Sequence, residues 1–251
     1  MKLRRVYITL LLGAVILGGT LSFLTGATKR GAGQQETDRF EIKNETSSLK
    51  LASLSREPFG DEILVNLTLV NASGKAVVAY SLLKQDTTSV TTDGATTGWI
   101  LAPQASDQVR VLLPASDSKL TIRAVIFGDG SGEGNPRRIR ELLDYQMGVR
   151  SQYERALPIL RRLQNTTHSA DRLARVNDLL NLPDKTAELQ ASIDKLEGAK
   201  HAKQFILGQL NLSAESSRVL KEPSASKVND AVETLEKAMT RLAASTKGQG
   251  L

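Results

Sequence analysis

The sequence predicts a mixed α+β chain in several parts: an N-terminal transmembrane or signal helix, an antiparallel β-sandwich, and a C-terminal α-helical bundle. Three observations carry that division. Val6 to Leu24 is an apolar run headed by Lys2, Arg4 and Arg5. Residues 39–128 alternate apolar and polar positions with a period of two, and residues 136–247 carry apolar positions at helical spacing. A Gly-rich stretch, 129–135, reads as the hinge between the last two.

Residues 1–27 come first. Val6 to Leu24 is 19 residues whose only ionisable side chain is Tyr7. A helix of that length, rising ~1.5 Å per residue, reaches ~28 Å, close to the ~30 Å of bilayer hydrocarbon. The basic head keeps the N-terminus in the cytoplasm and sends the rest outward. Two readings stay open. One is an uncleaved single-pass anchor with the C-terminus outside the cytoplasm. The other is a signal peptide cleaved after Ala27, which leaves a secreted or periplasmic chain. The run is longer than an ordinary h-region and lacks a clean Ala-x-Ala site, whereas Thr25, Gly26 and Ala27 are small enough for cleavage. Residues 28–38 are Gly, Gln, Thr and charge without periodicity, a tether.

In the sandwich, Phe40 and Ile42 alternate with charged residues, as do Leu49, Leu51 and, less strictly, Leu54. Val65, Leu67 and Leu69 alternate with Asn66, Thr68 and Val70 between Glu62 and Asn71. The turn Asn71–Gly74 leads into the apolar run Lys75–Lys84. Weaker runs lie at Ser89–Thr92 and Gly98–Leu101, strong ones at Gln108–Leu113 and Lys119–Phe127. Short strands separated by Gly, Pro, Asn, Asp and Ser, with no helical period between, favour antiparallel pairing over βαβ units.

Val65 to Leu82, with the Asn71–Gly74 turn inside it, resembles the second and third strands of the immunoglobulin-like β-sandwich of bacterial envelope proteins. Pro103 to Leu113 resembles the loop and strand that follow. The resemblance covers residues 39–128 and rests on pattern. The Cys…Trp…Cys signature is absent, and Trp99 comes too late to take that Trp's part. The resemblance implies a domain that holds, spaces or binds.

Asn135-Pro136 supplies an N-cap and an N1 proline for a helix through Ile139, Leu142, Gln146, Val149, Tyr153, Leu157, Leu160 and Leu163. Pro158 should kink or divide it. A shorter helix runs through Leu173, Val176 and Leu180 to Leu182-Pro183. Asp184 should cap the next, with Leu189, Ile193, Leu196, Leu207 and Leu210 at heptad-like spacing and Gly198, Lys200 and Lys203 weakening its middle. Pro223-Ser224 opens the last, striped by Val228, Ala231, Leu235, Met239 and Leu242. Such narrow stripes require packing on one another, on the sandwich or on a partner.

Composition excludes much chemistry. With no cysteine, thiol nucleophiles, Cys-type zinc or iron–sulfur sites are impossible. His168 and His201 are the only histidines, too few for a His-based catalytic zinc, and each reads as a solvated surface residue. There is no Gly-x-Ser-x-Gly elbow. The net charge of +6 divides into +3 before Arg39, zero over 39–128 (nine basic, nine acidic residues) and +3 from Asp129 onward. No basic stripe is interleaved with aromatics, so no nucleic-acid partner is expected. Five Asn-x-Ser/Thr triplets, at Asn44, Asn66, Asn71, Asn165 and Asn211, read as a consequence of Ser/Thr richness.

Two stretches are candidate sites. Asp129, Ser131 and Glu133 alternate with Gly134 sixth, like the first half of an EF-hand calcium loop. The twelfth position, however, is Arg140, with Glu141 one residue late, and the favoured reading is a flexible hinge. Arg137, Arg138, Arg140, Arg150, Arg155, Arg161 and Arg162, against Glu141, Asp144 and Glu154, make the first long helix +4. That charge could meet anionic headgroups or an acidic partner, and Arg137, Arg138, Arg140, Arg161 and Arg162 are its candidate contact residues.

The expectation is therefore an exported envelope protein, held to the membrane through Val6–Leu24, that works without catalysis by contacting an envelope protein partner. Contact would use an exposed sandwich edge that adds a strand, or the Arg-rich and leucine-striped helices. No cofactor is implied. The alternative is a cation-dependent hydrolase or periplasmic ligand-binding protein, with Ca²⁺ at the 129–135 loop or an apolar pocket between sandwich and helices.

Overall fold

Alternating segments have one apolar face each and bury it by stacking sheet on sheet. In the computed structural model, which describes residues 40–84, 88–94, 98–114, 119–183, 185–212 and 222–246, they do so in two sheets followed by helices. The chain is mixed α+β. The Val6–Leu24 run and Asp184 lie outside the described residues; among the described ones no helix is long and apolar enough to cross a membrane.

The strands are β1 (Glu41–Asn44), β2 (Leu49–Phe59), β3 (Glu62–Asn71), β4 (Val77–Lys84), β5 (Thr88–Asp93), β6 (Ser106–Pro114), β7 (Lys119–Phe127) and β8 (Gly132–Gly134). One sheet has the order β1-β7-β4-β5, with β8 also beside β7; the other has the order β2-β3-β6. β1 runs parallel to β7, from Glu41 opposite Lys119 to Asn44 opposite Ile122, and the other pairings are antiparallel. Val65, Leu67 and Leu69 of β3 meet Val77, Tyr80, Leu82, Leu120, Ile122 and Val125 of the facing sheet in one buried cluster. Tyr80 ties the sheets together by donating its hydroxyl to Asp107 Oδ2 on β6 at 2.7 Å, with its ring edge-on to Trp99.

The helices are α1 (Pro136–Asn165), α2 (Ser169–Leu180), α3 (Ala187–Gln190), α4 (Ile193–Gln209) and α5 (Ala225–Thr246). Asn135 caps α1 by accepting from Arg137 N and Arg138 N, as the sequence predicts. The first half of α1 lies on the outer face of the β1-β7-β4-β5 sheet, where Leu142 and Leu143 pack on Ala79, Ala124 and Ile126. Its second half is the spine of the bundle: Val149, Tyr153, Leu160 and Leu163 share a core with Val176, Ile206, Val228, Leu235 and Leu242.

Several expectations need correction. Pro158 neither ends nor divides α1. It sits on the exposed side, where water can take the freed carbonyl, while Ala156 and Leu160 on either side of it stay buried. Gly98–Leu101 is no strand: a single bridge joins Leu101 to Val77, and Gly98 turns back to Gly94 O. The helix expected through Leu189 and Ile193 is two helices broken at Ala191-Ser192, with Thr186 capping the first, and Ile193 is 78% exposed. Gly198 does not weaken its seam but makes it. A Cβ there would stand 2.1 Å from Tyr145 O, and one on Gly148 would stand 1.9 Å from Lys195 O, so the two glycines let α1 and α4 cross backbone to backbone.

Candidate interaction surface

The 129–135 stretch, expected as a hinge, folds as a hairpin. Phe127 N bonds Ser131 O, and Gly132–Gly134 continue as β8 against Ala124–Ile126. Gly134, at φ 104°, lies where a Cβ would meet Arg123 O at 2.2 Å, so only glycine brings β8 this close. Glu133 reaches back to the β1–β2 turn, where its carboxylate accepts from Ser47 N, Ser48 N and Ser48 Oγ. Burial pushes the Glu133 carboxyl up, but the Ser48 and Ser47 donors outweigh it and hold it below the usual range. Asp129 pairs with Lys75 at 2.7 Å and accepts from Ser131 N and Oγ, which hold its carboxyl far below the usual range. Asp129, Ser131 and Glu133 are thus a turn and a latch. Among the described residues no group of three His, Asp or Glu is arranged to hold a metal ion.

The arginines of α1 are mostly engaged within the molecule. Arg137 and Arg138 share Glu141, at 2.9 and 2.8 Å, and Arg138 Nε also donates to Ser81 Oγ on β4. Burial raises the Glu141 carboxyl, but these two guanidiniums prevail and lower it. Arg161 crosses to Glu236 on α5 at 2.7 Å, Arg150 pairs with Glu154, and Arg155 donates to Pro183 O. Arg140 and Arg162 are exposed and have no ion pair among the described residues. They lie 22 positions apart on one helix, ~33 Å along its axis, so they make no common patch. His201 Nδ1 meets Tyr145 Oη at 3.0 Å, and His168 precedes α2 without a side-chain cap bond. At the junction of sandwich and bundle, Val78, Trp99, Gln146 and Leu242 line a crevice of about 10 Å³, far too small for a lipid chain.

What stands open is the β2-β3-β6 sheet. Its outer face is a polar grid set by register: Ser53 beside Thr68 and Gln108, then Ser55 beside Asn66 and Arg110. Ser53 Oγ donates to Thr68 Oγ1, and Asn66 Nδ2 donates to Ser55 Oγ and Glu57 Oε1. These side chains border a shallow groove of about 450 Å³. Asn66 and Asn71, which begin two of the Asn-x-Ser/Thr triplets, fall on opposite faces of β3. Asn71 is buried, donating to Lys75 O and Leu101 O.

β2 is the sheet's edge, exposed from Lys50 to Phe59 on both faces. An extra residue at Ala52 shifts its register between Leu51 and Ser53, which explains the loose alternation there. Leu51 and Leu54 both turn toward the sandwich interior, opposite Leu69 and Leu67, yet remain 37% and 39% exposed. On that flank β1 is only four residues long, and among the described residues the space between the two sheets stays open there. Arg56 fills part of it, lying over the Phe40 ring at 5.3 Å. None of these residues stands out in sequence as a site. Pro58 within a strand is the one local signal of an edge.

No family model, no curated protein and no solved structure matches this chain.

Proposed function

We propose that the chain is a non-enzymatic contact module displayed outside the cytoplasm, and that its contact surface is the free flank of the β2-β3-β6 sheet. The observation that carries this reading is β2 itself: an 11-residue edge strand with one neighbour among the described residues, exposed from Lys50 to Phe59, with two leucines uncovered on its inner side. An edge of that length offers an incoming strand a row of backbone donors and acceptors. The Arg-rich helix has weaker support, since Arg137, Arg138 and Arg161 already face acids of this chain.

The finer fold reading is an immunoglobulin-like sandwich. The pairing order supports it: β2, β3 and β6 in one sheet, β5, β4 and β7 in the other, and β1 alongside β7 in parallel. Membrane tethering rests on the Val6–Leu24 run and its basic head. Mass analysis of the mature N-terminus separates an anchor, which keeps these residues, from a signal peptide cleaved after Ala27.

The test of the contact surface is a photo-reactive amino acid at Ser55, compared with one at Arg162, in cells that make the full chain. Adducts from Ser55 and none from Arg162 support the reading. Adducts only from Arg162 would move the contact surface to α1.

A further inference from the structure

We propose that the occupant of the β2 edge is a second copy of this chain, paired antiparallel about Leu54 so that two three-stranded sheets become one of six strands. The inference rests on the reading of β2 as the contact surface and names its partner.

The hairpin decides which backbone groups the edge offers. Gly60 and Asp61 alone separate Phe59 from Glu62, and Gly60 takes φ 62° while Asp61 does not go positive, as in a type II′ turn. Phe59 and Glu62 then close a two-residue loop as a hydrogen-bonded pair. Alternation makes Pro58 opposite Ile63 a non-bonded pair, the place where a proline loses nothing. The same alternation turns the N–H and C=O groups of Arg56 and Leu54 away from β3. Beyond the extra residue Ala52, Leu51 holds the equivalent position.

Counted along this ladder, opposite Val70 and Leu64 of β3, Lys50 and Glu57 each lie three rungs from Leu54, on opposite sides and on the same polar face. A two-fold axis through Leu54 therefore sets Lys50 of each copy against Glu57 of the other, in close non-hydrogen-bonded pairs. On the inner face Leu54 meets its own counterpart, and Arg56 meets Leu51 of the second copy, covering the flank the monomer leaves open. The extra residue Ala52 falls opposite Ser55, so the irregularity is accommodated twice rather than breaking the register. Lys50, Pro58 and the bulge, which guard an edge against random pairing, select this one register.

The test is sedimentation of the full chain in detergent, with Lys50→Glu and the double variant Lys50→Glu/Glu57→Lys. A dimer is expected, weakened about tenfold by Lys50→Glu, which turns two attractions into two repulsions, and restored to within about threefold by the double swap. Because the chain has no cysteine, Leu54→Cys gives a second readout. Its Cα atoms would face each other at about 5.5 Å, within disulfide range. Oxidation should yield a covalent dimer, and Ser73→Cys at the other end of the sandwich should not. A chain that stays monomeric, or a dimer indifferent to Lys50→Glu, overturns the proposal. Ser55 adducts to a different protein alone would overturn the self-partner and keep the edge as the contact surface. No Ser55 adduct at all would remove both.

Discussion

The two sheets of the sandwich are built from similar residues and treated very differently by the rest of the molecule. β4 and β7 of the first sheet are buried on both faces, by the facing sheet within and by α1 without; among the described residues the β2-β3-β6 sheet has no counterpart of α1. Their strands differ to match. β7, Lys-Leu-Thr-Ile-Arg-Ala-Val-Ile-Phe, is almost wholly buried, whereas β3 alternates buried Val65, Leu67 and Leu69 with half-exposed Asn66, Thr68 and Val70. The unbroken apolar run Ala124–Phe127 marks the part of β7 covered twice, by α1 and by the facing sheet, and alternation marks a strand covered once. β2, buried only at Leu49, keeps Leu51 and Leu54 on its inner face without burying them.

The sharpest way to break that comparison is charge. Ala79→Asp, in the cluster under Leu142 and Leu143, should cost about 4 kcal/mol in denaturant unfolding, because the carboxylate is shut off from water and faces another acid, Asp93, across the ladder. Thr68→Asp on the bare face should cost about 1 kcal/mol or less. Equal losses would mean that α1 does not cover its sheet in solution.

Truncating leucines comes next. Leu67, 2% exposed, should lose about 3 kcal/mol on mutation to Ala. Leu54, its register partner at 39%, should lose under about 1 kcal/mol as a monomer, read at dilute concentration by the same method. A larger loss at Leu54 that grows with protein concentration would mark it as an interface residue.

Glu133→Gln tests how the covered sheet is closed at its β8 end. The loss should be about 1–2 kcal/mol at neutral pH, as charge-assisted bonds to Ser47 and Ser48 become ordinary ones. The folded state depresses this carboxyl, so its contribution is complete above the unfolded value of about 4.3 and vanishes as pH falls through the lower folded value. The stability difference between native chain and variant should therefore shrink with acid. A constant difference between pH 7 and 2 would show that the charge is not what matters.

The smallest effect is expected at the hairpin tip of the open sheet. Gly60→Ala, forced to φ 62°, should cost about 1 kcal/mol and leave the β4 and β7 amides as protected from exchange as before.

Much of the architecture was legible in the sequence, because periodicity reports burial directly. Residues 62–71 and 119–127 read as strands, Asn135-Pro136 as a cap and Val228–Leu242 as a stripe, and each forms as read. β8 was hidden because its three residues carry no apolar pattern; only its register against Ala124–Ile126 makes it a strand. The Gly148–Gly198 crossing was hidden because a glycine in a helix reads as weakness until the facing backbone is known. The charge of α1 could be counted, but not its partners: Glu236 is 75 positions from Arg161. The open flank was least legible, since it follows from what β1 fails to cover.

The parallel pairing of β1 with β7 also sets an order of events. A chain made from its N-terminus can close β2 on β3 as soon as both exist, since two residues separate them. Phe40 to Asn44 must wait for Lys119 to Ile122, and the Glu133 latch comes later still. Contacts of such separation form slowly. For as long as that wait lasts, β1 has no sheet to join, and the Leu49–Leu54 segment is more exposed than in the finished fold. The moment of greatest risk of wrong pairing is thus the interval between the synthesis of β3 and that of β7.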